Sequence, residues 1–139
     1  MTPAEWRAFL VTPARTAKLA TVRPDGRPHV APVWIALDGD DTVVFTTGAT
    51  TVKGRNIRAD PRVTLCVDDE RPPFAFVVME GTAAVSEDLD EMLEWASRIG
   101  GRYMGADRAR EYGRRNAVAD ELLVRVSPIR VTAKRNIAD

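Results

Sequence analysis

Histidine and cysteine are almost missing from this chain, and their scarcity narrows the chemistry before any motif is considered. One histidine, His29, and one cysteine, Cys66, stand among 139 residues. A disulfide framework is excluded, a His/Cys zinc centre lacks ligands, and a Ser-His-Asp or Cys-His catalyst would rest on a single imidazole. Cys66 lies in the apolar run VTLCV, where a thiol behaves as a small hydrophobe. No catalytic side chain and no metal-ligand set is legible, so the chemistry is expected to belong to a bound cofactor.

Net charge is missing too. Twenty basic and twenty acidic side chains cancel, with a pI near 6.6, so no general field recruits nucleic acid or an anionic membrane, and any basic site must be local. Long apolar runs are lacking, and the opening MTPAEWRAFL is too short and too charged for a signal peptide. A cytoplasmic protein without membrane or nucleic-acid partners is expected. What is present is a 45% hydrophobic composition, enough for one globular domain over residues 1–139 with a real core.

Along the chain, Thr2-Pro3-Ala4-Glu5 opens a helix with an N-cap, a proline at the first helical position and a capping-box glutamate, and Trp6, Phe9 and Leu10 share its apolar face. From Thr16 the period becomes two, until Pro24-Asp25-Gly26 forces a hairpin turn. The return strand, His29 to Leu37, is apolar on both faces, as expected of a barrel wall covered outside by a helix, a ligand or a second subunit. Pro32 predicts a bulge or ladder gap. Strands follow over Thr42–Thr47, Val63–Val67 and Phe74–Val85, the last bent at Gly81. Ser86 to Met104 has the clearest helical periodicity, with an end or kink expected at Gly100-Gly101, and Asp107 to Asn116 reads as a polar, solvated helix. Strands over Leu122–Val126 and Ile129–Lys134, separated by Ser127-Pro128, complete an α+β protein of six or seven short strands, with no internal repeat.

The stretch Thr46 to Pro61, TTGATTVKGRNIRADP, organises the rest. A strand turns at Gly48 into a short helix whose opening amides, capped by Thr50 or Thr51, form an anion site, and Lys53, Arg55 and Arg58 add positive charge. A solvated connector between two strands has the same composition. Phe74 and Phe76 lie together at a strand start, as core or as the lining of a groove.

In order, LATVRPDGRPHVAPVWI, VVFTTGATTVKGRNIRADPRVTLCV, FVVMEGTAAV and VRVSPIRV resemble the flavin- and deazaflavin-binding split-barrel proteins of the pyridoxamine 5'-phosphate oxidase-like superfamily. The most specific part is the run from Lys53 to Arg62 following a hairpin that carries P-D-G-R-P. Within that superfamily the chain looks most like the oxidoreductases that use the deazaflavin coenzyme F420, with FMN as the alternative cofactor. The resemblance implies a six-stranded antiparallel split β-barrel, a homodimer with the cofactor in a groove between subunits, and hydride transfer to a conjugated small molecule. It also implies cofactor contacts at Thr46, Thr47, Thr51, Lys53 and Asn56, at Val33, Trp34 and Arg55, and at Phe74 and Phe76 from the partner chain. A non-catalytic flavin or deazaflavin carrier is the remaining alternative. Pyridoxamine phosphate oxidases themselves end in a Trp- and Arg-containing substrate motif. The tail VTAKRNIAD, Val131 to Asp139, has no Trp, which argues against pyridoxamine phosphate as substrate.

Overall fold

The computed structural model describes all residues, Met1–Asp139. Helix α1 (Pro3–Val11) precedes the hairpin of β1 (Ala17–Val22) and β2 (Pro28–Val33), then β3 (Ala36–Asp38), β4 (Thr42–Gly48), α2 (Val52–Ala59), β5 (Arg62–Asp69) and β6 (Ala75–Ser86). The helical pair α3 (Leu89–Met104) and α4 (Ala109–Asn116) leads into the long strand β7 (Glu121–Arg135).

All strands join one antiparallel sheet in the order β2-β1-β5-β6-β7-β4-β3. The two edge strands are consecutive in sequence, separated only by Trp34 and Ile35. Three residue steps span at most about 11 Å, whereas the edges of a flat seven-stranded sheet would lie about 29 Å apart. The sheet must therefore roll up, with an unpaired seam at Trp34–Ile35. This is a split barrel, and the seam is why seven strands replace the expected six: the return strand His29 to Leu37 is divided into β2 and β3. The gap expected at Pro32 lies two residues further on. Pro32 itself stays in register opposite Lys18, on an edge strand, where proline is tolerated in a sheet.

At the seam, the half-buried end of α3 supplies what the sheet does not. The Ile35 N–H donates to the Tyr103 hydroxyl at 3.0 Å, and the Ile35 carbonyl accepts from Arg102 Nε at 3.0 Å. Tyr103 in turn donates to the Arg15 carbonyl at 2.7 Å, and Arg102 Nη1 to the Val11 carbonyl at 2.8 Å. A buried backbone position without ladder partners is thus fully satisfied.

Alternation along the strands fills the barrel with Leu19, Val43, Phe45, Leu65, Val67, Val77, Met79, Leu122 and Val124, and Trp6 and Leu10 of α1 join the same core. The capping box of α1 is present, with Thr2 and Glu5 each satisfying the other's backbone N–H. Outside the barrel, Met92, Trp95 and Ile99 of α3 pack on Ala36, Val44 and Leu123. The helix does not end or kink at Gly100-Gly101. It runs through to Met104 because Gly100 is where Tyr112 of α4 presses in, and a Cβ there would overlap that side chain. For the same reason α4 is not wholly solvated: Tyr112 and Gly113 are buried. Strand β7 is continuous across Ser127-Pro128, with Ile129 as the extra residue of a bulge opposite Glu80–Gly81. Gly81 bends as expected, and a Cβ there would strike the Ser127 carbonyl. No helix is long and apolar enough to cross a membrane.

Candidate functional site

Strand β4 ends at Gly48, and the chain reverses into α2 through a tight set of bonds. Thr51 is the N-cap: its hydroxyl donates to the Gly48 carbonyl at 2.7 Å and accepts from the Gly54 N–H at 3.1 Å. Thr47 Oγ1 lies 3.2 Å from Thr51 Oγ1 and, since the Thr51 hydrogen is already committed, acts as donor. Gly54 lets the helix start lie against the strand end, because a Cβ there would overlap the Gly48 carbonyl oxygen. The closeness fixes where Lys53 points. At the far end, Asp60 accepts from the side chain and backbone N–H of Arg62, and these hydrogen bonds hold its carboxyl down to about 2.

Beside this corner is a cavity of about 530 Å³. Pro32, Val33 and Trp34 form one wall, Thr46, Thr47 and Gly48 the strand floor, and Lys53 enters from α2. Ala96 and Ile99 of α3, Arg115 and Asn116 of α4, and Glu121 of β7 close the opposite side. Trp34 is held flat by Tyr103, with centroids 5.0 Å apart and planes 4° from parallel, while Tyr112 lies tilted at 5.7 Å. The wall is therefore a braced aromatic surface.

Of the ten residues expected at a cofactor, five line this cavity: Val33, Trp34, Thr46, Thr47 and Lys53. Thr51 stands behind it as the cap. Arg55 and Asn56 line a separate groove of about 490 Å³ with Arg23 and Arg27. Asn56 is buried there, its side-chain N–H donating to Thr21 Oγ1 at 3.0 Å, which ties α2 to β1. Phe74 and Phe76 lie at the start of β6, away from the cavity in this chain, with Phe74 exposed at positive φ. His29 lies opposite Thr21, also outside the cavity lining.

Arg115, Asn116 and Glu121 escaped the sequence reading. Glu121 faces Gly48 in the β4–β7 register, on the face that carries Thr46. Burial pushes its carboxyl above the ordinary 4.5, opposed by the Thr46 hydroxyl and the Lys53 charge. Lys53 and Arg115 form no ion pair with any carboxylate.

The donor set fits a flat, phosphate-bearing group. The Lys53 amide at the opening of α2 has no protein acceptor, and the unpaired Lys53 and the braced Trp34 line the same cavity.

No curated protein matches the sequence. Among solved structures, a conserved hypothetical protein of Mycobacterium tuberculosis is 28% identical with a TM-score of 0.86, over 98% of this chain and 86% of that one. A protein described as an F420 reductase is 29% identical with a TM-score of 0.70, over 91% of this chain and 94% of its own. The heme storage protein of Vibrio cholerae, 18% identical with a TM-score of 0.72 over 94% and 91% of the two chains, shares the fold. The family model described as pyridoxamine 5'-phosphate oxidase matches residues 2–134, and with that span, the split barrel and these neighbours, the chain belongs to the pyridoxamine 5'-phosphate oxidase family.

Proposed function

We propose that this protein is a coenzyme F420-dependent oxidoreductase that passes a hydride to a conjugated small molecule, working as a homodimer with the cofactor against the 530 Å³ cavity. The observation that carries the reading is the pairing, in one cavity, of a braced aromatic wall at Trp34 with an unpaired lysine at the opening of α2. Likeness to the F420 reductase over most of both chains supports the choice of deazaflavin.

When bound, the deazaflavin supplies the hydride; the protein supplies position and a dry surface. The ammonium and amide of Lys53 would hold the phosphate. Val33 and Trp34 would lie along the ring, and Thr46 and Thr47 along the chain between them. Trp34 is fixed by stacking on Tyr103, so ring orientation costs little at the moment of binding.

The test is a fluorescence titration of the purified chain with F420 and with FMN, followed by anaerobic oxidation of reduced F420 with a quinone acceptor. Tight F420 binding and multiple turnovers are expected. Tighter binding of FMN with oxygen or quinone reduction would move the protein to a flavin oxidase, and binding with no more than a single turnover would make it a carrier.

A further inference from the structure

Glu121 puts a carboxylate where the proposed function needs an anion to bind. It lies across the sheet from Gly48, its Oε1 would stand 3.7 Å from a Cβ at that glycine, and it shares the cavity with Lys53 and Arg115. Lys53 is the cation that acts on the Glu121 carboxylate, whereas Arg115 lies over the Tyr112 ring with its charge acting on Glu111. Burial already disfavours the Glu121 charge, and a second negative group beside it would add repulsion.

The two candidate cofactors differ in this respect. The phosphate of the deazaflavin coenzyme is a diester with one negative charge at any physiological pH. FMN carries a monoester, whose second ionisation near pH 6 gives it about 1.5 to 2 negative charges at neutrality. A carboxylate beside the phosphate therefore repels the monoester up to about twice as strongly as the diester.

We propose, resting on the cofactor reading above, that Glu121 is a specificity residue that favours a phosphodiester over a phosphomonoester at the Lys53 end of the cavity. It acts by repulsion, a form of discrimination that complements the attraction of Lys53. Thr46, on the same face of the sheet, steadies the carboxylate.

The experiment titrates the parent chain, Glu121→Gln and Glu121→Asp with F420, FMN and riboflavin at about pH 8, with thermal melts as the check on folding. Glu121→Gln is expected to tighten FMN binding by about fourfold while tightening F420 by about twofold and leaving riboflavin unchanged. Glu121→Asp retains the charge and is expected to keep the parent's preference. Equal gains for all three ligands, an unchanged FMN-to-F420 ratio in Glu121→Gln, or loss of preference in Glu121→Asp would overturn the assignment while leaving the cofactor reading standing. A parent chain that bound neither phosphate-bearing cofactor would end both.

Discussion

Lys53 and Thr51 are two residues apart, and the structure gives them opposite jobs. The Lys53 ammonium has no carboxylate partner and lines the cavity. The Thr51 hydroxyl is fully used, donating to Gly48 and accepting from Gly54. Removing a charge-assisted hydrogen bond costs about 1.5 to 3 kcal/mol. Screening at an open cavity brings Lys53→Ala to the lower end, a loss of about tenfold in F420 affinity at physiological salt and less in strong salt. Its melting temperature is expected to stay within about 1 °C, because the attraction lost between Lys53 and the Glu121 carboxylate is screened by solvent and alanine favours the helix. Thr51→Ala reverses the pattern. An N-cap lost to alanine costs about 1 kcal/mol, or roughly 3 to 5 °C in a chain of this size, with affinity changed only as far as the helix start frays. Parallel fluorescence titrations and thermal melts of the two variants decide the matter. Parent-like affinity of Lys53→Ala for both F420 and FMN would make α2 a solvated connector. A Thr51→Ala protein with an unchanged melting temperature and a tenfold weaker cofactor would mean that its hydroxyl is spent on the ligand instead.

Three further expectations concern the frame of the site. Tyr103→Phe keeps the stack on Trp34 but leaves the buried Ile35 N–H without an acceptor; a loss of about 2 kcal/mol by chemical denaturation is expected, and a change within error would show that the seam does not depend on that bond. The folded Glu121 carboxyl titrates above its ordinary 4.5, so its contribution to stability is fully present below that value and is lost as pH rises through the folded one. Glu121→Gln is therefore expected to melt higher than the parent at about pH 7 and alike near pH 4, whereas a variant less stable at pH 7 would show the charge to be favourable in place. Val30 and Ile129 stand 65% and 75% exposed on the barrel's outer surface, an apolar excess typical of association surfaces. Light scattering is expected to give twice the 15.3 kDa of the chain, and a monomer at micromolar concentration would rule the homodimer out.

Local signals carried the ends of elements well. The α1 capping box, the Pro24-Asp25-Gly26 turn, the Thr51 cap and the alternation of β1, β5 and β6 all stand where the residue types placed them. The division of the return strand was illegible because His29 to Leu37 is apolar on both faces, so alternation shows no interruption. The partners that replace its ladder, Arg102 and Tyr103, come from 67 and 68 residues further along. Gly100 misled for a related reason: inside a helix it lowers propensity, but here it is the contact point for α4, and packing outweighs a cost of about 1 kcal/mol.

The candidate site divides along the same line. The sequence pattern grouped Lys53 and Arg55 as one basic cluster, yet two helical steps turn a side chain through about 200°, so one faces the cavity and the other the groove with Arg23 and Arg27. Asn56, about 60° from Lys53 on the helical wheel, turns inward to Thr21 instead. A cluster counted along the chain is thus two surfaces in space, and only the residue nearest the helix opening shares a cavity with Trp34. Glu121 shows the converse. Nothing around it in sequence suggests a site; it enters through strand register, opposite Gly48 and 73 residues beyond it. The attractive half of the site, a lysine on a capped helix, was legible because helix starts are written locally. The half that would discriminate between cofactors was not, because repulsion across a sheet depends on which strands pair.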